Sequence, residues 1–487
     1  LSQKAIIVGA GVGGLAAAAR LAKDGLEVEV YEKLSCCGGR NNLISDRGFK
    51  FDTGPSFVLM PDFFAEVFSY CGAKIEDYLE LRFIDPSYKI FYADGEVLTV
   101  YRDSRRTKEE LERIEPGAAA RFDDFIRETA RIYAILKPLL YKCVTVKSLI
   151  NPGYWGLAGR IRAFESYWHL ARKYFKSEKL CYAFTFEAMF MGVSPYQAPA
   201  FYSIITYTDH VQKIAHPLGG MYQIPLALEK LAGSLGAKFH YNCAIDNIER
   251  ENGQAVLLRG RERIRADYTV VNADYAYAQT DLLKRPIQDF KYSCSTYLIY
   301  LGLKKKLGGG LAHHNLFFSR DLNKNLEQIF KEKTIPAEPS FYAHLPTLTD
   351  PSLAPPGKDI LYLLIPLANL KAPRETLGQD QEQRLRKLVF EKINKACGCD
   401  LEELIEVEHR FYPEDFRERY NVKFGATFGL AHNLMQSAFF RPANFDARIK
   451  NLYYVGASTQ PGGGLPVVIA GSRIVAEMIR QARSLLA

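Results

Sequence analysis

The sequence predicts an α/β chain: a Rossmann-like domain assembled from separated segments, with an inserted α+β domain. Two observations carry this. A β-α-β unit of about thirty residues opens the chain, running from Lys4-Ala-Ile-Ile-Val through Gly9-x-Gly11-x-x-Gly14 to Glu27-Val-Glu-Val-Tyr31. Over four hundred residues later, Asn451-Leu-Tyr-Tyr-Val-Gly456 leads through a glycine-rich turn to Leu465-Pro466-Val467, a second strand–turn–helix.

Residues 4–8 alternate too little for a half-exposed strand and read as a buried parallel one. Residues 13–24 are rich in alanine and leucine and stop before Gly25, as a helix does. Glu32 stands at the end of the second strand. From about 82 to 204 the chain reads as helical, aromatic and basic, with breaks at Pro152-Gly153 and Ser194-Pro195. The α/β pattern returns with a helix from Gly219-Gly220 to Leu235 and strands near 237–241, 245–250 and 265–272. A second varied region covers 280–424, and the closing helix starts near Leu465. Segments 1–81, 205–279 and 425–487 would form the nucleotide domain, and the two insertions together the second domain.

The 487 residues are 48% hydrophobic and 24% charged, an ordinary globular composition. No run of about 18 uncharged apolar residues occurs, so no membrane-spanning helix is expected. The apolar N-terminus is interrupted by glycines within ten residues and reads as a strand, not a secretion signal. The nine scattered cysteines lack disulfide or zinc spacing and suit free thiols in a reducing cytoplasm. His313-His314 reads as a loop pair without a third ligand, so no metal is expected.

The net charge of +8 is uneven: residues 137–179 hold nine Lys/Arg against two Asp/Glu. Trp155, Trp168 and several tyrosines and phenylalanines share this stretch. Basic residues mixed with amphipathic aromatics suit the headgroup layer of an anionic membrane, and a cytoplasmic protein held peripherally there is expected. A solvated basic helix face is the plainer alternative. Nucleic acid is set aside because no binding motif accompanies the charge.

The three glycines of Gly9-x-Gly11-x-x-Gly14 serve, in order, the tight turn, close backbone approach to a pyrophosphate, and close helix–strand packing. Glu32 can accept from both ribose hydroxyls, which a ligand-free glycine turn leaves unexplained. Gly38-Gly39-Arg40 adds a second glycine segment with a charged fork for a phosphate. A longer ligand gripped by several segments favours FAD over NAD.

At this point the sequence resembles bacterial-type phytoene desaturases, within the amine-oxidase-like FAD superfamily, over nearly its whole length. The landmarks are Gly38-Gly-Arg40, Phe51-Asp-Thr-Gly-Pro55, Phe184 to Pro195, Ala198-Pro199-Ala-Phe-Tyr202 and Pro217-Leu-Gly-Gly-Met221. They continue through Ala266-Asp267, Asn272-Ala-Asp274, Asp350 to Pro355, Gly425 to Gly429, Gln436, Arg441-Pro442 and Asn451 to Gly471. The resemblance implies that Gly9, Gly11 and Gly14 face the pyrophosphate, Glu32 the ribose and Arg40 the phosphates. It implies backbone contact of Ile245 with adenine, with Pro55 and Ser56 near the flavin. Gly456 would lie by the pyrophosphate and Leu465-Pro466-Val467 by the isoalloxazine. Lys33 and Gly39 complete the implied cofactor set. Gln460 stands where the family often has His, and Gly463 where it has another small residue. Ser177 and Cys181 replace an acid and an arginine of some members, so no catalytic role carries over there.

The resemblance implies a long apolar polyene as substrate and desaturation by hydride transfer to flavin with loss of a proton. The residues themselves show no nucleophile–base arrangement. Glu187, in a run of aromatics and methionines, is the acid to examine first, its alternative being a hydrogen-bonded structural carboxylate. Related lipid enzymes (a C30 desaturase, an oxygenase, an isomerase or a retinol saturase) share the frame. A prenyl-binding protein of the GDP-dissociation-inhibitor type is the non-enzymatic alternative. Which carotenoid, which electron acceptor and which oligomeric state stay open.

Overall fold

The computed structural model describes residues 3–485 apart from 146, 147, 149, 152 and 372. Pro152, half of one expected break, thus lies outside the described residues, while Gly153 opens a helix to Arg160. Five parallel strands form one sheet: β1 (Lys4–Val8), β2 (Glu27–Tyr31), β3 (Lys238–His240), β4 (Tyr268–Val271) and β5 (Leu452–Tyr454), in the order β5-β4-β1-β2-β3. β1 pairs on both sides, Ala5 with Val28 and Tyr268. This central place explains its apolar sequence: Ala5 and Ile7 pack beneath a helical layer, while Ile6 and Val8 meet Ile248, Leu257 and Ile264 on the opposite face. The latter three belong to an antiparallel three-stranded sheet covering Asn247–Arg265.

The helical layer holds α1 (Val12–Lys23), α2 (Pro61–Cys71), α3 (Gln223–Ser234) and α4 (Leu465–Ser484). Arg20 of α1 is buried and donates to Ser472 of α4 at 3.1 Å and to Glu66 of α2. The first β-α-β unit, the helix ending by Leu235 and the helix starting at Leu465 stand where the sequence puts them.

The seven-stranded second sheet runs Ile405–Phe411, Ser295–Leu303, Asp359–Leu367, Phe341–His344, His314–Phe317, Tyr88–Phe91, Val97–Val100. Its last two strands amend the expectation of a helical stretch from 82. They form a hairpin around Asp94-Gly95, and helices begin only at Ser104. Asp-Gly between two apolar runs is a hairpin signal that the aromatic and basic composition masked.

Candidate functional site

The loop between β1 and α1 is shaped by contacts that leave no room for a side chain. A Cβ on Gly14 would stand 2.2 Å from the carbonyl oxygen of Gly9. Gly9 has φ +102°, a region costly for other residues. Asn272, just past β4, fills the space beneath: its Nδ2 donates to Gly9 O at 3.2 Å and would stand 2.8 Å from a Cβ on Gly11. Gly38 N donates to Ala10 O at 2.8 Å, bringing the second glycine segment alongside the first, and a Cβ on Gly39 would stand 3.2 Å from Gly11 Cα. Helix α1 has no side-chain cap, so its N-terminal N–H groups and dipole are available to an anion.

Glu32 is buried, and its two oxygens accept from Ala10 N at 2.7 Å and Leu34 N at 2.8 Å. Each oxygen keeps capacity for one further donor, which suits a pair of ribose hydroxyls. Ile245 is buried in the cluster containing Tyr31, and Cys243 N donates to Glu32 O at 2.8 Å. Arg40 donates to Thr427 O at 2.9 Å. Lys33 behaves differently: its ammonium goes to Asn421 Oδ1 at 2.9 Å and Glu418 O at 3.3 Å.

The closing turn is held from behind. Arg441, 2% exposed, donates to the carbonyls of Thr459, Gln436, Leu430 and Ala457. Burial lowers its pKa to about 10, still far above neutrality. Gly463 N donates to His432 Nε2 at 2.9 Å, which leaves His432 Nδ1 to donate to Met191 O at 3.0 Å. A Cβ on Gly463 would stand 3.1 Å from His432 Cε1, which accounts for glycine there. Gly456 takes φ +140°. Leu465 and Pro466 open α4, and Val467 follows in its first turn, again without a side-chain cap. The glycine loop, buried Glu32 and two uncapped helix starts fit a dinucleotide cofactor of this length.

Ser56 accepts from Tyr342 Oη at 2.9 Å. Beside it lies a cavity lined by Phe57, Leu59, Tyr88, Phe186, Ile205 and Tyr342, among others, with Glu187 and Asp209 in its wall. At about 30 Å³ it has room for no more than a water or two and is a mostly apolar spot beside the carboxylate pair, not a whole polyene path. Glu187 Oε2 accepts from Tyr167 Oη at 2.7 Å and Thr206 Oγ1 at 2.6 Å. Its Oε1 and Asp209 Oδ1 have no ordinary donor. Burial pushes Glu187 up to about 7, while burial and the Glu187 charge push Asp209 well up. Such a pair shares a proton. Sequence reasoning found Glu187 but not Asp209, since nothing local couples positions 22 residues apart.

His313 and His314 are not a loop pair acting together: His314 opens the His314–Phe317 strand, and His313 faces elsewhere. His216 and His344 come to His313, with one ring nitrogen of each within 4.8 Å of the others, all three buried.

The basic stretch is also less free than its composition suggests. Lys137 pairs with Asp62, Arg162 with Glu128 at 2.5 Å, Lys173 with Glu165 at 2.5 Å and Lys179 with Glu96 at 2.6 Å. Trp168 packs between Tyr182 and Tyr196. Trp155 and Phe164 stand out at 64% and 76% exposure. Among the described residues no helix is long and apolar enough to cross a membrane.

Comparison with known proteins agrees with this geometry. The family described as flavin containing amine oxidoreductase matches residues 12–479. A zeta-carotene-forming phytoene desaturase of Myxococcus xanthus is 39% identical, over 98% of this chain and 94% of its own. A 4,4'-diapophytoene desaturase (4,4'-diaponeurosporene-forming) of Staphylococcus aureus is 33% identical, over 98% and 99%. Among solved structures, cyclohexylamine oxidase from Brevibacterium oxydans superposes with a TM-score of 0.62 at 14% identity, over 99% of this chain and 100% of its own. The chain belongs to the flavin-containing amine oxidoreductase family, in its phytoene desaturase group, with FAD as cofactor.

Proposed function

We propose that the protein is a carotenoid desaturase that introduces double bonds into a long apolar polyene at a membrane surface. The observation that carries it is the apolar and aromatic cavity beside Ser56, with one buried carboxylate pair in its wall. The names of the relatives support the same substrate class.

Bound FAD supplies the hydride acceptor. Gly9, Gly11, Gly14, Gly39 and Arg40 hold its phosphates, with Glu32 on the ribose and Ile245 by the adenine. Gly456 would lie by the pyrophosphate, and Pro55, Ser56, Leu465, Pro466 and Val467 would surround the ring end; Lys33 braces the loop after Glu32 through Asn421. Segments 1–81, 205–279 and 425–487 form this cofactor body, a reading supported by the origin of β1 to β5. Segments 82–204 and 280–424 form the substrate body, supported by their shared seven-stranded sheet.

Loss of hydride from an allylic carbon leaves a cation spread along the polyene, and the neighbouring carbon must then give up a proton. The Glu187–Asp209 pair accepts it: one proton is already shared, and the remaining negative charge lies at the cavity wall. The aromatic lining keeps water out and faces the cation with π-density.

Exposed Ile150, Trp155 and Phe164, with Met435 and Phe440 from a turn joined to them by the Tyr154–Phe439 edge contact, form the membrane-facing surface. Exposed Lys142, Arg160, Arg172 and Lys176 lie in the same stretch.

Expression in a phytoene-accumulating host, with chromatography of the pigments, tests the reading. Consumption of phytoene into longer chromophores is expected. Unchanged phytoene with an altered downstream carotenoid would move the protein to another step, and unchanged pigments with a flavin-loaded chain would sink desaturation altogether.

A further inference from the structure

His216 is 0% exposed, and neither of its ring nitrogens has a hydrogen-bond partner. One of the two must carry a hydrogen, so the ring is left with an orphaned donor and an orphaned acceptor in a dry interior, an arrangement native proteins avoid. His313 and His344 lie against it, with ring centroids 5.0 and 6.4 Å away. Their own Nε2 atoms face each other at 2.9 Å. Three buried imidazoles thus converge on one point.

We propose that His216, His313 and His344 bind one divalent transition-metal ion, of which zinc is the best match. Three imidazole nitrogens form a zinc ligand set that leaves one further coordination position, and zinc–nitrogen bonds of about 2.0–2.1 Å place tetrahedral ligands roughly 3.3 Å apart. Nitrogens within 4.8 Å of one another, with the closest pair at 2.9 Å, reach that spacing by small ring rotations. The ion gives His216 the partner it lacks.

The surroundings are arranged as an outer shell. Thr349 Oγ1 meets His313 Nδ1 at 2.7 Å, which leaves Nε2 for the ion. Asp350 Oδ2 lies 3.8 Å from His216 Nε2, beyond hydrogen-bond reach but near enough for its charge to favour a hydrogen on that nitrogen, leaving Nδ1 for the ion. A small approach of the two on metal binding would complete a carboxylate–histidine–metal chain, which fixes the ring and raises its basicity. Asp350 is itself held by Gly219 N at 2.6 Å and Ser352 Oγ at 2.7 Å. The Asp350 carboxylate partly offsets the charge a dication would bring among three neutral imidazoles.

The three ligands come from different places: His216 from the Ala215–Pro217 strand, His313 from just before the His314–Phe317 strand, and His344 from the end of the Phe341–His344 strand. The ion would therefore fasten the Ala215–Pro217 strand to the seven-stranded sheet. It sits one residue from His314, a cavity-wall residue whose Nδ1 meets Tyr342 Oη at 2.6 Å. Its binding is independent of which polyene is the substrate.

The untagged, flavin-loaded chain should carry about one zinc after growth with zinc and gel filtration, measured by plasma mass spectrometry. H216Q and H344Q should each lower this at least roughly fivefold, in line with loss of a ligand, while keeping flavin absorbance. Wild-type protein stripped with chelator and refilled with cobalt(II) should show the visible bands of four-coordinate cobalt. Wild-type protein with neither zinc nor cobalt bands overturns the proposal, and so does zinc content equal in wild type and both folded variants. Should both variants misfold, the wild-type metal content and cobalt spectrum still decide.

Discussion

Gln460 and Val144 exchange two hydrogen bonds across 316 residues: Gln460 Nε2 donates to Val144 O at 2.7 Å, and Gln460 Oε1 accepts from Val144 N at 2.8 Å. The side-chain amide imitates a neighbouring strand, tying the closing turn to the segment that leads into the exposed Gly153–Arg160 helix. A carboxamide suits this, since one group both donates and accepts. Q460A should cost about 1–2 kcal/mol and speed hydrogen exchange at 142–145, with flavin content kept. Q460H, with one bond feasible at a time, should fall between. Equal exchange in all three proteins would mean that the tie does not restrain the segment.

The carboxylate pair gives stability a pH dependence of definite sign. Glu187 rises from 4.5 to about 7 in the folded protein, and Asp209 rises as well. Both bind their proton more tightly folded than unfolded, so their stabilising contribution is complete below the unfolded value and is lost as pH climbs through about 7. Wild-type stability should drop between pH 5 and 8 by roughly 1–3 kcal/mol from this source. E187Q should flatten that slope in urea titrations. If the pair takes the substrate proton, E187Q should also slow formation of the desaturated product in a single anaerobic turnover about 100-fold or more. D209N, which keeps a donor towards Glu187, should do less. An E187Q protein with wild-type single-turnover product formation would leave Glu187 a structural carboxylate.

G14A forces a Cβ to within 2.2 Å of Gly9 O, which only a backbone shift can relieve. Flavin per chain should fall about tenfold or more, the loss expected when a phosphate-binding backbone is displaced. G233A is the control: it lies inside α3, its Cβ would meet nothing closer than Phe239 Cε2 at 3.9 Å, and it should gain up to about 1 kcal/mol of stability. Equal flavin loading of the two variants would mean that the loop tolerates a side chain after all.

Membrane association should follow the apolar side chains more than the charges. W155S/F164S should weaken binding to anionic liposomes about a hundredfold or more, since two large side chains at roughly 1.5–3 kcal/mol each sum to about 3–6 kcal/mol. R172Q/K173Q/K176Q should have the smaller effect, because Lys173 is already paired with Glu165 and Arg172 donates to Lys176 O. Sedimentation with vesicles measures both. The reverse ranking would return the docking role to the basic stretch.

The parallel core was legible because β1, α1 and β2 are local: period, glycine spacing and capping lie within thirty residues. The same holds for the turn and helix at Leu465. What escaped is long-range. Among the described residues Arg441 donates to four carbonyls and to no carboxylate, so no ion pair hints at its burial. Asn272 fits beneath the glycine loop only because β4 lies beside β1. His216, His313 and His344 are spaced by 97 and 31 residues and meet only because the Ala215–Pro217 strand packs against the seven-stranded sheet. The hairpin at Asp94-Gly95 is the exception, a local signal outweighed by the composition around it.

The order of the parallel sheet also governs the history of the chain. β1 is synthesised first, yet its neighbour β4 begins at residue 268 and the edge strand β5 at residue 452. Contacts that distant form slowly, because a long loop must close before any pairing energy returns. Until β4 emerges, a newborn chain therefore carries an unpaired, largely apolar edge on β1, exposed to aggregation unless shielded. Loading of the cofactor becomes a late event, waiting on the last glycine turn. In recombinant production, slower translation, chaperones and added riboflavin should raise the yield of yellow protein more than any change at the cavity.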